Sequence, residues 1–186
     1  MMERSFYRRD SRKVAKDLLG KKLKKGDLAG KIVETEAYYG KGDPASHAFN
    51  GKTQRNKPMF GEPGRIYVYL CYGMYYLLNL TTQERDEPGA VLIRSVEPLR
   101  GIKEMKHNRG VNDKYKLTTG PGRLTEAFCI TDGNTGEDVV SGESEIEVVD
   151  FESPGKIQKS KRIGVSKEHK EDLRFYVAES KFVSNK

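Results

Sequence analysis

The amino-acid sequence predicts an α+β fold in one domain, with a mixed or antiparallel β-sheet core, surrounding helices and a protruding β-hairpin. Three observations lead there. Apolar patterns of strand and of helix period follow one another irregularly, without the regular βαβ alternation of a parallel sheet. Residues 66–80 read as two apolar strands interrupted by Tyr72-Gly73. The 186 residues contain no internal repeat, linker-like tract or low-complexity segment, so a single core suffices.

Taken in order, residues 11–19 carry Val14, Ala15, Leu18 and Leu19 at helical spacing, with Gly20 as a stop. Residues 30–38 read as a strand with an acidic end, followed by a loop over 40–64 rich in Gly, Pro, Asn and Lys. In 66–80, Tyr67 and Tyr69 alternate with Ile66, Val68 and Leu70, the period of a strand. The hairpin tip then carries Cys71, Tyr72, Gly73 and Met74. Further strands are expected over 89–96, 145–149 and 173–177, and helices over 101–108 and 122–130.

Charge narrows the functional classes. Thirty-four Lys+Arg against 27 Asp+Glu give +7, and a basic surface favours polyanions through counterion release. The excess is concentrated in residues 1–25 and 156–170, whereas 142–150 is acidic. A merely soluble surface would account for the same balance. The longest apolar run is too short to cross a bilayer, and no charged-then-apolar leader is seen, so a cytoplasmic protein is expected. Cys71 and Cys129 lack metal-ligand spacing, and a reducing compartment explains them better than a disulfide.

Glu34 and Glu36 are unusual in a strand, and alternation puts them on one face. A carboxylate there could deprotonate a water, although on the residues alone two surface glutamates near a strand end are the simpler reading. His47 has no second His or Cys at ligand spacing, which disfavours a zinc hydrolase or deaminase. Five of the ten tyrosines lie between Tyr67 and Tyr76. Some must be core, but a tyrosine at the tip beside Gly73 and Met74 could instead enter a base stack.

The residues Val14-Ala-Lys-Asp-Leu-Leu-Gly20, Ile32-Val-Glu-Thr-Glu-Ala-Tyr38, Asp43-Pro-Ala-Ser-His47, Thr53-Gln-Arg-Asn56, Met59-Phe60 and Tyr67-Val-Tyr-Leu-Cys-Tyr-Gly-Met-Tyr75 form a series. It continues with Asn79, Ala90-Val-Leu-Ile-Arg94, Thr119-Gly-Pro-Gly122, Arg162-Ile-Gly-Val165 and Leu173-Arg-Phe-Tyr-Val177. In this order the chain resembles the alkyladenine (3-methyladenine) DNA glycosylases of the human and bacterial type, distinct from the helix-hairpin-helix glycosylases. The resemblance implies a fold like the C-terminal domain of methionyl-tRNA formyltransferases. It implies a monomeric, cofactor-free, metal-free base excision repair enzyme acting on duplex DNA. Such an enzyme hydrolyses the N-glycosidic bond of flipped, alkylated or deaminated purines and lacks lyase activity.

By the same resemblance Glu36 activates the water, Arg94 helps hold it, and the Ile163 carbonyl is a further ligand of it. Tyr38, His47 and Tyr69 sandwich the extruded base, and Asn79 discriminates against the amino group of guanine. Tyr72 fills the vacated gap with Met74 beside it, and Thr53, Met59, Gly122 and Arg123 belong to the DNA-contacting set. The chain departs from human-type members in three places. The segment between His47 and Met59 is one residue shorter, Gly122-Arg123 stands where a Ser-Lys pair touches the backbone, and Tyr39 stands where leucine is common. Two rivals remain: RNA binding on the same scaffold, and lesion binding without cleavage.

Overall fold

The computed structural model describes residues 1–167 and 169–184. Of the basic stretch 156–170, Glu168 therefore lies outside the described residues. The chain runs through helix α1 (Arg4–Tyr7), helix α2 (Ser11–Leu18), and strands β1 (Lys22–Lys25) and β2 (Leu28–Tyr38). The hairpin β3 (Ile66–Cys71) and β4 (Tyr75–Thr81) follows, then β5 (Ala90–Arg100), α3 (Ile102–Arg109) and α4 (Pro121–Ala127). The chain ends with β6 (Ile146–Val149), β7 (Ile157–Ser160) and β8 (Arg174–Val177).

All strand pairings are antiparallel. The main path is β3-β4-β5-β2-β1-β6, and the sheet forks at β2. One edge of β2 pairs with β5 along its length, while the other is shared between β1 near Leu28–Lys31 and β8 at Glu34–Glu36. β2 is thus buried on nearly every residue, which explains why it reads as a long apolar run carrying two acids.

Alternation then divides the side chains between two faces. Ala37, Ile66, Val68, Leu78, Leu80, Val91 and Ile93 enter the main core, which α2 and α4 complete with Val14, Ala15, Leu18, Leu124, Ala127 and Phe128. Thr35 anchors the sheet to α2 by donating to the Ala15 carbonyl, 2.8 Å. Helix α2 starts where expected because the Asp10 carboxylate accepts from the Arg12 and Lys13 amides.

The expected helices and strands are present with shifted ends. The strand expected over 89–96 continues to Arg100, and the loop over 40–64 contains a short 3₁₀ turn at Lys57–Phe60 seeded by Pro58. Three elements were not foreseen: α1, β1 and β7. The first is one turn long, and β1 reads Lys-Leu-Lys-Lys with Leu23 alone fully buried, too little for a period to register. Both cysteines are free thiols.

Candidate active site

The sheet face opposite the core builds the site through its register. Tyr67 pairs with Asn79, Asn79 with Leu92, and Leu92 with Glu36. Directly opposed residues of antiparallel strands share a face, so one cross-strand row brings these four side chains together. Stepping by two adds Tyr69 and Leu77 on the hairpin, Ala90 and Arg94 on β5, and Glu34 and Tyr38 on β2. The face opens into a cleft of about 1090 Å³ whose lining includes Tyr38, His47, Tyr67, Tyr69, Asn79, Arg94 and Ile163. The carboxylates foreseen to share a face do so, and both ion-pair with Arg94.

Glu36 is fully buried, accepts two hydrogen bonds and forms an ion pair with Arg94. The Ile163 amide donates to Oε1 (2.8 Å), Arg94 Nη1 lies 3.1 Å from the same oxygen, and the Tyr38 hydroxyl donates to Oε2 (2.8 Å). A carboxylate oxygen offers about two lone-pair sites, and among the described residues Tyr38 is the one hydrogen-bond donor to Oε2. Burial raises the Glu36 pKa above the ordinary carboxylate value, and Glu34 adds to the rise; Arg94, the Ile163 amide and Tyr38 pull the other way without cancelling it. Arg94 stays charged: burial opposes its cation, but Glu36 and Glu34 outweigh burial and raise its pKa. A buried carboxylate so poised has the protonation behaviour of a general base.

The aromatic walls are distinct in kind. His47 and Tyr69 pack edge to face with centroids 4.4 Å apart, forming one corner of the cleft rather than two separate walls. The Tyr67 hydroxyl and His47 Nδ1 share a hydrogen bond of 2.9 Å. Burial, aided by the nearby Arg55 cation, lowers the His47 pKa, so the imidazole is neutral near pH 7. Tyr38 forms the other wall, and its ring carries the Arg162 guanidinium 4.5 Å from its centroid. Arg162 is bound bidentately by Asp43 (2.7 and 2.8 Å) and donates to the Ala37 carbonyl, with both charged side chains wholly buried. Asn79 is buried, its amide donating to the Tyr67 and Leu77 carbonyls, which fixes its side chain in the floor.

The hairpin projects beside this cleft. Tyr72 and Gly73 adopt positive φ (51° and 67°), the pattern of a type I′ turn, and the Met74 amide donates to the Cys71 carbonyl. Glycine takes that geometry freely, but a tyrosine there is strained, and its ring is 81% exposed. Met74 and Tyr75 are exposed beside it.

Of the remaining DNA-contacting candidates, Thr53 and Arg123 are exposed, Arg123 in the lining of the cleft, and Thr53 brackets a turn with Asn56. Met59 is buried to 3% exposure in a small cluster with Ala48, Tyr67 and Ala90, and belongs to the lining of the cleft. Gly122 lies against the Tyr75 ring; a Cβ there would approach Tyr75 Cγ to 2.8 Å, a physical reason for the absence of serine. Ile163 touches Glu36 through its amide, a contact sequence reasoning did not foresee. Also missed were the roles of Tyr67, Asp43 and Arg162; the motifs contained all three without any local pattern to assign them.

A family model described as methylpurine-DNA glycosylase matches residues 5–181 of this chain. The chain belongs to the methylpurine-DNA glycosylase family. Its relatives include proteins named "Putative 3-methyladenine DNA glycosylase" in three bacteria. That of Chlorobium phaeobacteroides (strain BS1) is 44% identical, covering 97% of this chain and 94% of its own length. That of Clostridium perfringens (strain SM101 / Type A) is 45% identical, covering 98% of both chains. That of Koribacter versatilis (strain Ellin345) is 40% identical over 100% of this chain and 93% of its own. Family membership makes this chain a DNA-directed hydrolase, and DNA its partner. No helix among the described residues is long and apolar enough to cross a membrane, and no described cluster of three His, Cys, Asp or Glu residues is arranged for a metal.

Proposed function

We propose that this glycosylase acts as a monomer on duplex DNA in the cytoplasm and removes alkylated or deaminated purines. In this reading it turns the damaged nucleotide out of the stack and hydrolyses its N-glycosidic bond. The observation that carries the reading is Glu36: fully buried, and held by Tyr38, Ile163 and Arg94, all three of which line the aromatic cleft. A water in contact with Oε2 attacks C1′ as the C1′–N bond breaks. The purine leaves with the bonding electron pair, and the water proton passes to Glu36. Arg94 keeps Glu36 ionised beforehand, and the Ile163 carbonyl is assigned as the water's second ligand.

The wall chemistry suits the leaving group. Alkylation at N3 or N7 makes a purine cationic, and the faces of Tyr38, Tyr69 and a neutral His47 attract a cation. A protonated imidazole would repel it, so the depressed His47 pKa favours these substrates. Departure neutralises the base, which weakens its hold at the moment the bond breaks. Asn79 is assigned to reading the purine edge, and Tyr72 and Met74 to the gap left in the duplex, with Thr53, Gly122 and Arg123 along the backbone. No lysine lines the described cleft, which favours simple hydrolysis to an abasic site over a Schiff-base lyase.

Duplexes carrying one hypoxanthine, ethenoadenine or 7-methylguanine test the reading. Alkali after incubation should break the damaged strand only where a base has been released, and without alkali it should stay intact. Breaks without alkali would indicate lyase chemistry, and lesion binding with no breaks on any duplex would indicate a damage binder.

A further inference from the structure

The second buried carboxylate of β2, Glu34, is left without a role by the reaction above, yet among the described residues it is densely hydrogen-bonded. It receives Arg94 Nε (3.0 Å), Arg174 Nε (2.7 Å), the Ser95 hydroxyl (3.0 Å), and both the amide (2.7 Å) and hydroxyl (2.8 Å) of Ser184. Ser184 in turn accepts from Arg94 Nη2 (3.3 Å) through its hydroxyl and from Arg174 Nη2 (2.6 Å) through its carbonyl. The segment carrying it is docked by Phe182 and Val183, each 7% exposed, with Phe182 stacked on Tyr115.

The consequence concerns Arg94. Its three guanidinium nitrogens go to three different places: Nε to Glu34, Nη1 to Glu36, Nη2 to Ser184. An arginine beside a lone carboxylate prefers the two-pronged fork, with one nitrogen on each oxygen. Were Arg94 to bind Glu36 in that way, its second prong would reach Oε2 beside the Tyr38 hydroxyl, where the base is to accept a proton. Glu34 and Ser184 prevent this by engaging the other two nitrogens.

We propose that Glu34, with Ser184, is a positioning residue for base removal, restricting Arg94 to a single contact with Glu36 and so keeping open the carboxylate position that takes the water proton. This rests on Glu36 being the base. The C-terminal segment around Ser184 then belongs to the active centre although it is remote from it in sequence.

Single-turnover release from the duplex cleaved fastest, with lesion-duplex Kd measured separately, tests this. Glu34→Gln should slow release roughly 10-fold or more while Kd stays within about 3-fold. The groups facing Glu36 are Glu34 on its own strand, Arg94 on β5, Arg174 beyond Glu34 on β8, and the Tyr38 and Tyr69 hydroxyls. Loss of the Glu34 anion removes a like charge that helps raise the Glu36 pKa, so the acid limb of the rate should move to lower pH. Ser184→Ala, which removes no buried charge, should slow release several-fold, and Ser184→Thr should restore it.

Release by Glu34→Gln within about 3-fold of the parent, an unmoved acid limb, or a loss of lesion binding that matches the loss of rate would overturn the proposal. Should Glu34→Gln fail to fold, Ser184 decides, because full-speed release by Ser184→Ala overturns it equally. Glu36→Gln run alongside separates the two readings. An active Glu36→Gln sinks the assignment of the base itself, whereas an inactive Glu36→Gln beside a fully active Glu34→Gln sinks only the positioning role.

Discussion

Replacing Asp43 by alanine should cost this protein much of its stability. Asp43 and Arg162 are both wholly buried, joined by two hydrogen bonds of 2.7 and 2.8 Å, and the Asp43 carboxylate also accepts from the Tyr39 amide. Removing the carboxylate takes two charge-assisted hydrogen bonds from a buried guanidinium, and breaking a buried pair costs about 3–5 kcal/mol. For a chain of this size each kcal/mol moves Tm by about 2–4 °C, so the variant should melt roughly 6–20 °C lower. The pH dependence adds a check. Burial alone would raise the Asp43 carboxyl, but the Arg162 hydrogen bonds and the Tyr39 amide outweigh it and hold the pKa below its ordinary value. A depressed carboxyl contributes stability above its unfolded pKa of about 3.9 that is lost as pH falls through the folded value. Urea unfolding of parent and variant at pH 7 and near pH 3 should therefore show a gap that narrows in acid. A loss below about 1 kcal/mol at pH 7, or a gap independent of pH, would refute the view that this pair is a buried anchor.

Other expectations follow from single contacts. Tyr72→Ala should weaken lesion-duplex binding by roughly 1–3 kcal/mol, read by fluorescence anisotropy, with urea stability unchanged because the ring is 81% exposed. Gly122→Ser should cost roughly 1–3 kcal/mol in urea unfolding because its Cβ would meet the base of the Tyr75 side chain, and Tyr75→Ala should relieve most of that loss. Log affinity for undamaged duplex should fall linearly with log salt, with a slope of about −0.9 per phosphate contacted; Arg123→Ala should make that slope shallower by about one unit if this exposed arginine meets a phosphate.

The parts of this molecule that sequence makes legible are those written in local periods. The alternation through Tyr67 and Tyr69 gave the hairpin, and that through Glu34 and Glu36 gave a shared face, because side-chain direction along a strand is fixed by the pleat. A β-bulge near Glu34 shifts the pairing with β5, yet both carboxylates still meet Arg94. What local patterns do not encode is which distant charge a buried group will find. Asp43 and Arg162 stand 119 residues apart, and Glu34 and Ser184 stand 150 apart. Each pair is decided by strand register and by the loop that covers the site face. Met59 illustrates the same limit: its motif does not say that it packs with Ala48, Tyr67 and Ala90 at the edge of the cleft. The family resemblance supplied the identities of Glu36, Arg94 and the aromatic residues, while the structure supplied the hydrogen bonds that give each a physical role.

The pH profile of single-turnover base release, for the parent and for Glu36→Gln, bears most directly on the whole account. A buried carboxylate acting as base predicts a parental rate that drops on the acid side with a midpoint above about 4.3, the ordinary glutamate value. The glutamine variant should be slower by about 10²–10⁴ and lack that limb, while binding the lesion duplex as tightly as the parent. A variant that keeps both the rate and the acid limb would show that the proton goes elsewhere.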